Sequence, residues 1–476
     1  MVAPAAVRHD ELPAIAAATA HPQAGTGSAT LELPIPYDVA QGLYLIRLGS
    51  GDEEAISVYL RPVWVGEGEM AVEQPVSSTF ADGALRLHTA EATQPASNRL
   101  DLRLDWSAAR PVAANYGLSM RLTDPADNEW ARLDDQPGYG FLPTSLWPVG
   151  RLIHDRYTLP LPEGTPPGDA YTLTVSLYRV ATRESVGEFA LPVSLHRATL
   201  RADAPVIARF GDELALSRLK APKRVQQGET VLLTAYWLAV ERPSADYVVE
   251  WRLEAPGIGD LRFGIWDLAP GSPPTGWPAG ALVAGRAALS IPPTTPAGDY
   301  ILSLTLRDPT SGASLGTYTL PQPVHVQERE RVWELPPMQR EVGARFGGMI
   351  ELAGYDLKRE GDALHLTLHW RALAVPDQHY MLFVHLADPA TGRPIAQVDT
   401  MPRGFAYPTG MWAPGEVVSD EVVLSLEGVP AGRYDLVIGW YEPGETSHRL
   451  PATDSTGNPL PDDRLILPDG VNIGGR

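Results

Sequence analysis

This chain repeats itself, and the repeat limits the folds open to it more than any other feature. A run of alternating apolar residues ending in tryptophan occurs three times: LDLRLDW to Trp106, VLLTAYW to Trp237 and LHLTLHW to Trp370. About ten residues after each stands a tyrosine (Tyr116, Tyr247, Tyr380) that opens the next apolar run. A second tryptophan follows in a Pro/Gly turn, at Trp147, Trp277 and Trp412. Last comes a turn-plus-strand pattern of proline, glycine and tyrosine, PPGDAYTLTVSLY from Pro166, PAGDYILSLTLRD from Pro296 and PAGRYDLVIGWYE from Pro430. All four landmarks return after about 130 residues, a period that suits one immunoglobulin-sized sandwich with long loops.

The pattern predicts an all-β chain of tandem Ig-like or fibronectin-like antiparallel β-sandwiches over 71–200, 201–330 and 331–476, the last with a C-terminal tail. A fourth copy shows only its closing half: ELPIPYDVAQGLYLIRL and VYLRPVWV place a partial repeat at 31–70, behind a flexible Ala/Pro-rich segment at 1–30. Half a sandwich leaves an apolar face and a strand edge unpaired. The expectation is that the chain is the downstream part of something longer, or that this segment packs on the next repeat. Helix-compatible stretches, near 10–20 and 328–332, are short.

Composition supports strands and turns: 46 prolines and 44 glycines follow no collagen period and cluster between apolar runs. With no cysteine there are no disulfides, thiolate chemistry or Cys-based zinc sites. The net charge of −20 argues against nucleic acid as a partner and against electrostatic docking to anionic lipid. No apolar run reaches the length of a transmembrane segment, and the N-terminus lacks the basic and apolar regions of a signal peptide.

The loop before the second tryptophan is the best place to look for a site. It reads LDDQPGYGFLPTSLWPVG in one repeat and VDTMPRGFAYPTGMWAPGE in another, aligned without gaps from Asp134 with Asp399 to Trp147 with Trp412. The middle repeat shortens it but keeps Asp267, Pro274, Thr275 and Trp277. Flat aromatic side chains here (Tyr139, Phe141, Trp147, Trp277, Phe405, Tyr407 and Trp412) are candidate stacking faces for a sugar ring. The competing and favoured reading is architectural: the tryptophan plugs the end of the sandwich and the prolines stiffen a long crossover.

Other candidates are weaker. His365 and His369 share one strand face, with His385 expected on a neighbouring strand; a zinc site there is disfavoured because another repeat puts Asp101 and Asp105 in their places. The pairs Asp134-Asp135 and Asp462-Asp463 lack the flanking geometry of glycosidase carboxylates, and GNPLPDD near the C-terminus lacks calcium-loop spacing. No catalytic residue, metal or cofactor is expected.

The stretch from Pro143 to Tyr178 (PTSLWPVGRLIHDRYTLPLPEGTPPGDAYTLTVSLY) resembles a region of large bacterial glycosyltransferases, as does the stretch from Gly354 (GYDLKREGDALHLTLHWRALAVPDQHYMLFVHLADPATGRPIAQVD). The region is the one that follows the membrane-embedded catalytic part of dolichyl-phosphate-mannose-type transferases of Chloroflexi-like bacteria. The resemblance runs from about Leu31 onward. In that family the catalytic residues lie between transmembrane helices that this sequence lacks, so none carries over. It implies an extracytoplasmic, non-enzymatic accessory region whose partners are a cell-envelope glycan and a membrane glycosyltransferase or upstream polypeptide. A carbohydrate-binding array and a structural surface or adhesion protein are the alternatives.

Overall fold

The computed structural model describes residues 75–140, 142–444, 448–468 and 470–474, together with four short upstream strands, Gly42–Tyr44, Arg47–Leu48, Val58–Tyr59 and Val63–Val65. The chain is all-β, 55% strand and 4% helical. The segments expected at 1–30 and 10–20 lie outside the described residues, and 328–332 is extended linker rather than helix.

Each repeat is a pair of sheets enclosing one core, its strands pairing antiparallel except where Arg224–Gln226 pairs in parallel with Val324–Gln327 in the second. In the first, one sheet orders the strands Leu152–Pro160, Arg99–Ala108, Leu85–Ala96 and Ser78–Phe80. The other orders Ser185–Leu195, Gly168–Arg179, Tyr116–Thr123 and Glu129–Asp135. The alternation seen in the sequence is the in–out alternation of these strands: Leu100, Leu102, Leu104 and Trp106 are buried along one face of Arg99–Ala108. The second and third repeats build the same two layers around Trp237 and Trp370.

Each core tryptophan meets a phenylalanine from the repeat's first strand, edge to face. Ring centroids lie 5.8 Å apart for Phe80–Trp106, 5.8 Å for Phe210–Trp237 and 6.0 Å for Phe346–Trp370. The Pro/Gly/Tyr pattern is a tyrosine corner. The hydroxyls of Tyr171, Tyr300 and Tyr434 donate to the carbonyls of Pro166, Pro296 and Pro430 at 2.8, 3.0 and 3.0 Å, pinning the turn to the strand that follows.

The upstream strands carry the same closing pattern. Gly42 pairs with Val65, in the register of Gly168 with Leu195, Gly298 with Val326 and Gly432 with Ile473. That pairing is the one the closing strands of the three described repeats make.

Candidate functional site

The loop that carries the candidate aromatics closes the end of each sandwich. In all three repeats it finishes in a short 3-10 turn: Thr144–Leu146, Pro274–Gly276 and Thr409–Met411. The next residue, the second tryptophan, turns inward. Its indole N–H donates to a carbonyl five residues earlier: Trp147 to Leu142 at 3.0 Å, Trp277 to Ser272 at 3.2 Å and Trp412 to Tyr407 at 3.1 Å. The threonine of the motif ties the turn to the tyrosine-led strand. The Thr144 hydroxyl donates to the Ala114 carbonyl and accepts the Tyr116 N–H; Thr409 does the same with Gln378 and Tyr380. In the short loop, Thr275 donates to the Asp246 carboxylate instead.

The plug is tight. Trp147, Trp277 and Trp412 are 5%, 0% and 0% exposed. The gap left beside Trp106, Tyr116, Pro137 and Trp147 measures about 10 Å³, room for one water at most. A face already packed against protein cannot stack on a sugar, so these three indoles offer no platform in this structure. Tyr407 is also buried, its hydroxyl donating to Glu416 at 2.6 Å, and Tyr139 is half-buried against Tyr157. Phe141 lies outside the described residues. Of the candidate aromatics, only Phe405 stands open among the described residues.

A feature missed in the sequence explains why two loops are long and one is short. Buried Asp155 accepts the Gly138 N–H (3.1 Å), the Arg156 N–H (3.1 Å) and the Tyr157 hydroxyl (2.5 Å). Asp420, its counterpart in the third repeat, accepts the Arg403 N–H at 2.6 Å. Each carboxylate anchors a run of three left-handed residues: Gly138, Tyr139 and Gly140 in one loop, Arg403, Gly404 and Phe405 in the other. The non-glycine members cost ~1 kcal/mol each, which the anchor offsets. The middle repeat has Gly285 at this position, where an added Cβ would lie 1.8 Å from the Leu268 carbonyl oxygen. The backbone of the short loop fills the space the carboxylate takes elsewhere. Burial pushes the Asp155 carboxyl up to about 7 against the pull of its three donors, and burial likewise raises Asp420.

The histidines form no metal site, and no group of metal-ligating side chains occurs among the described residues. His385 lies in the sheet opposite His365 and His369, not on a neighbouring strand, because the chain crosses between layers after Ala372. His365 pairs with Glu421 at 2.8 Å. His369 bridges the Ser419 hydroxyl and Asp356, both at 2.8 Å. That chain has the connectivity of a hydrolytic triad and spans three adjacent strands, with His369 buried between a part-exposed Asp356 and an exposed Ser419. It ties the three strands together. Near the C-terminus, Asp463 accepts the Ala452 N–H and Asp462 pairs with Arg464.

The junctions between repeats hold the other groups that sequence reasoning missed. At the first, the outer sheet face of the second repeat is apolar: Ala215, Tyr236, Leu238, Leu282 and Ala284 join the first repeat's core cluster. The Ala284 N–H donates to the Gly164 carbonyl at 2.7 Å, and the Arg286 guanidinium stacks on Trp130 at 3.9 Å. The positions matching Tyr236 and Ala284 hold Asp105 and His154 in the first repeat, and His369 and Ser419 in the third. At these two positions, of the three described repeats, the middle one alone is apolar.

At the second junction, Arg331 is almost wholly buried and pairs with equally buried Glu416. It also donates to the Tyr407 hydroxyl, the Met411 carbonyl and, across the junction, the Pro293 carbonyl. The two linkers share a fork. The Arg197 N–H donates to the Gln94 side-chain carbonyl (2.7 Å) and its Nε to the Gln94 main-chain carbonyl (3.1 Å). Arg329 repeats both bonds on Gln227 at 3.2 and 2.9 Å.

No family model and no curated protein matches this chain. Solved structures overlap it, among them two that each cover about three quarters of the chain. One is a marsupial T cell receptor, 12% identical, covering 76% of this chain and 99% of that one with a TM-score of 0.16. The other is a glycosyl hydrolase family 2 member from Bacteroides cellulosilyticus DSM 14838, 7% identical, covering 79% and 78% with a TM-score of 0.18. Overlap at that level carries no functional argument. Among the described residues no helix is long and apolar enough to cross a membrane.

Proposed function

We propose that this chain is a non-catalytic, rigid spacer of tandem β-sandwiches, working outside the cytoplasm beside the machinery of cell-envelope glycan assembly. The observation that carries the spacer reading is the repeated Gln–Arg fork, which pins each linker to the repeat it leaves. A flexible tether needs no such bonds, since its backbone is satisfied by water. The two junctions add to this, because each buries side chains from both neighbouring repeats or from the linker between them. The extracytoplasmic location and the link to glycan assembly rest on the sequence resemblance.

The carbohydrate-binding alternative loses its three tryptophan platforms to the core and keeps Phe405 as its one open candidate among the described residues. Titration of the purified chain with a panel of envelope glycans separates the two readings. The spacer reading expects no saturable binding. Saturable binding that disappears on Phe405→Ala would overturn it.

A further inference from the structure

We propose that the two junctions yield differently: the second is the hinge of the array, closed by the Arg331–Glu416 pair, while the first is a permanent weld. This inference rests on the spacer reading and adds where such a spacer bends.

The two junctions differ in chemistry. The first is held by apolar area continuous with the core of the first repeat, to which Ala215, Tyr236, Leu238, Leu282 and Ala284 all contribute. Such a contact is non-directional and weakens only in proportion to the area uncovered. Its ionic part is peripheral: Glu163 reaches Arg201 and Arg218 from partly exposed positions, where pairs contribute little.

The second junction concentrates its cohesion in one linker side chain. The side chains of Arg331 and Glu416 are 4% and 3% exposed. A pair this deep holds only while both charges and their remaining hydrogen bonds are in place, because each has given up its water. Glu416 is supported inside the third repeat by the Tyr407 hydroxyl and the Ala413 N–H. Arg331 is the group that joins the layers, with one N–H on the Pro293 carbonyl of the second repeat and others on the third. Beside it, Gly228 packs against Met411, where an added Cβ would lie 2.9 Å from the Met411 Cα, and the Arg329 guanidinium lies over the Tyr407 ring at 5.4 Å. Arg329 remains forked to Gln227 and paired with Glu229 on the second repeat. If Arg331 lets go of Pro293, Arg329 stays with the second repeat while Val332, whose carbonyl accepts the Val417 N–H at 2.8 Å, stays with the third, so the bend falls at the residues between them.

The test uses the full chain, which has no native cysteine, so dye pairs can be placed at introduced cysteines. One pair spans repeats one and two, the other repeats two and three, and single-molecule energy transfer reads each distance distribution. Glu416→Gln and Arg331→Met each leave one buried charge without its partner. Each should raise the open population of the second junction by about a hundredfold and leave the first unchanged. A minor state of about 1% would then become about as common as the closed one. The double variant removes both buried charges but also the bond to Pro293, so its second junction should fall between the wild-type and single-variant distributions.

Single variants whose second junction stays narrow, or that broaden both junctions alike, would overturn the hinge. If Glu416→Gln unfolds the third repeat, Arg331→Met decides, since it leaves the bonds of Glu416 to Tyr407 and Ala413 intact. A second junction already broad in the wild-type chain would refute the spacer reading itself, so the two failures are distinguishable.

Discussion

Replacing Trp147 by alanine separates a core plug from a binding platform, because the two readings predict opposite losses. The indole is 5% exposed, and a tryptophan buries roughly 150–250 Å². At ~25 cal/mol per Å² its removal costs about 4–6 kcal/mol before any relaxation, in line with about 3–5 kcal/mol for aromatic truncations in cores. The lost N–H also leaves the buried Leu142 carbonyl without its donor, adding about 1 kcal/mol. Trp147→Phe keeps most of the area and should cost only about 1–2 kcal/mol. Because three repeats make a single unfolding midpoint ambiguous, the assay is native-state hydrogen exchange read peptide by peptide on the full chain. Protection in Arg99–Ala108 and Tyr116–Thr123 should fall by the stated amounts in the alanine variant, up to the stability of that repeat. Peptides from the third repeat should not change. If protection in the first repeat is unaltered by Trp147→Ala, the indole is not a plug and the argument from burial is wrong.

Three further outcomes follow from the anchors and the welded junction. Asp155 has a folded-state pKa raised to about 7, so the folded repeat holds its proton more tightly than the unfolded chain does. Its contribution to stability is therefore greatest near pH 4 and is lost as pH rises through 7. Asp155→Asn should remove up to about 4 kcal/mol of that slope from urea titrations of the first repeat between pH 4 and 8; an unchanged slope would place the titration elsewhere. Gly285→Ala should destabilise the middle repeat by ~3 kcal/mol or more, since the added methyl meets the Leu268 backbone rather than a side chain that can turn away; a thermal scan with no shift would contradict this. Ala284→Asp, which puts a carboxylate into the apolar face of the middle repeat, should broaden the first junction alone, read as the distance between nitroxides on repeats one and two.

What was legible in the sequence was whatever the repeat spaces regularly. The tryptophans, tyrosines and Pro/Gly turns stand in the core and its corners, where every copy faces the same demand, so they recur after about 130 residues. The loop tryptophans were assigned to architecture for the same reason, and the structure buries them. Phe80, Phe210 and Phe346 do an equivalent job but escaped notice. They stand about 25 residues before each core tryptophan, a spacing nearly as regular as the other landmarks, but outside the alternating runs that mark the repeat. Asp155, Gly285 and Asp420 are single residues whose role shows only when the loop opposite them is seen. Arg331 and Glu416 lie 85 residues apart in sequence, and no local pattern joins them. His385 was misplaced because a period-two pattern gives the face of a strand and not the layer the strand belongs to.

The distance between the first and third repeats tests the account most directly. Nitroxides at introduced cysteines on exposed strands of those repeats, measured by pulsed electron resonance in the wild-type chain, would report both junctions at once. The account predicts one distance, with a width close to that of a control pair inside a single sandwich. A broad or multimodal distribution would mean that forked linkers and buried junctions do not hold the repeats in line, and the spacer reading would fall.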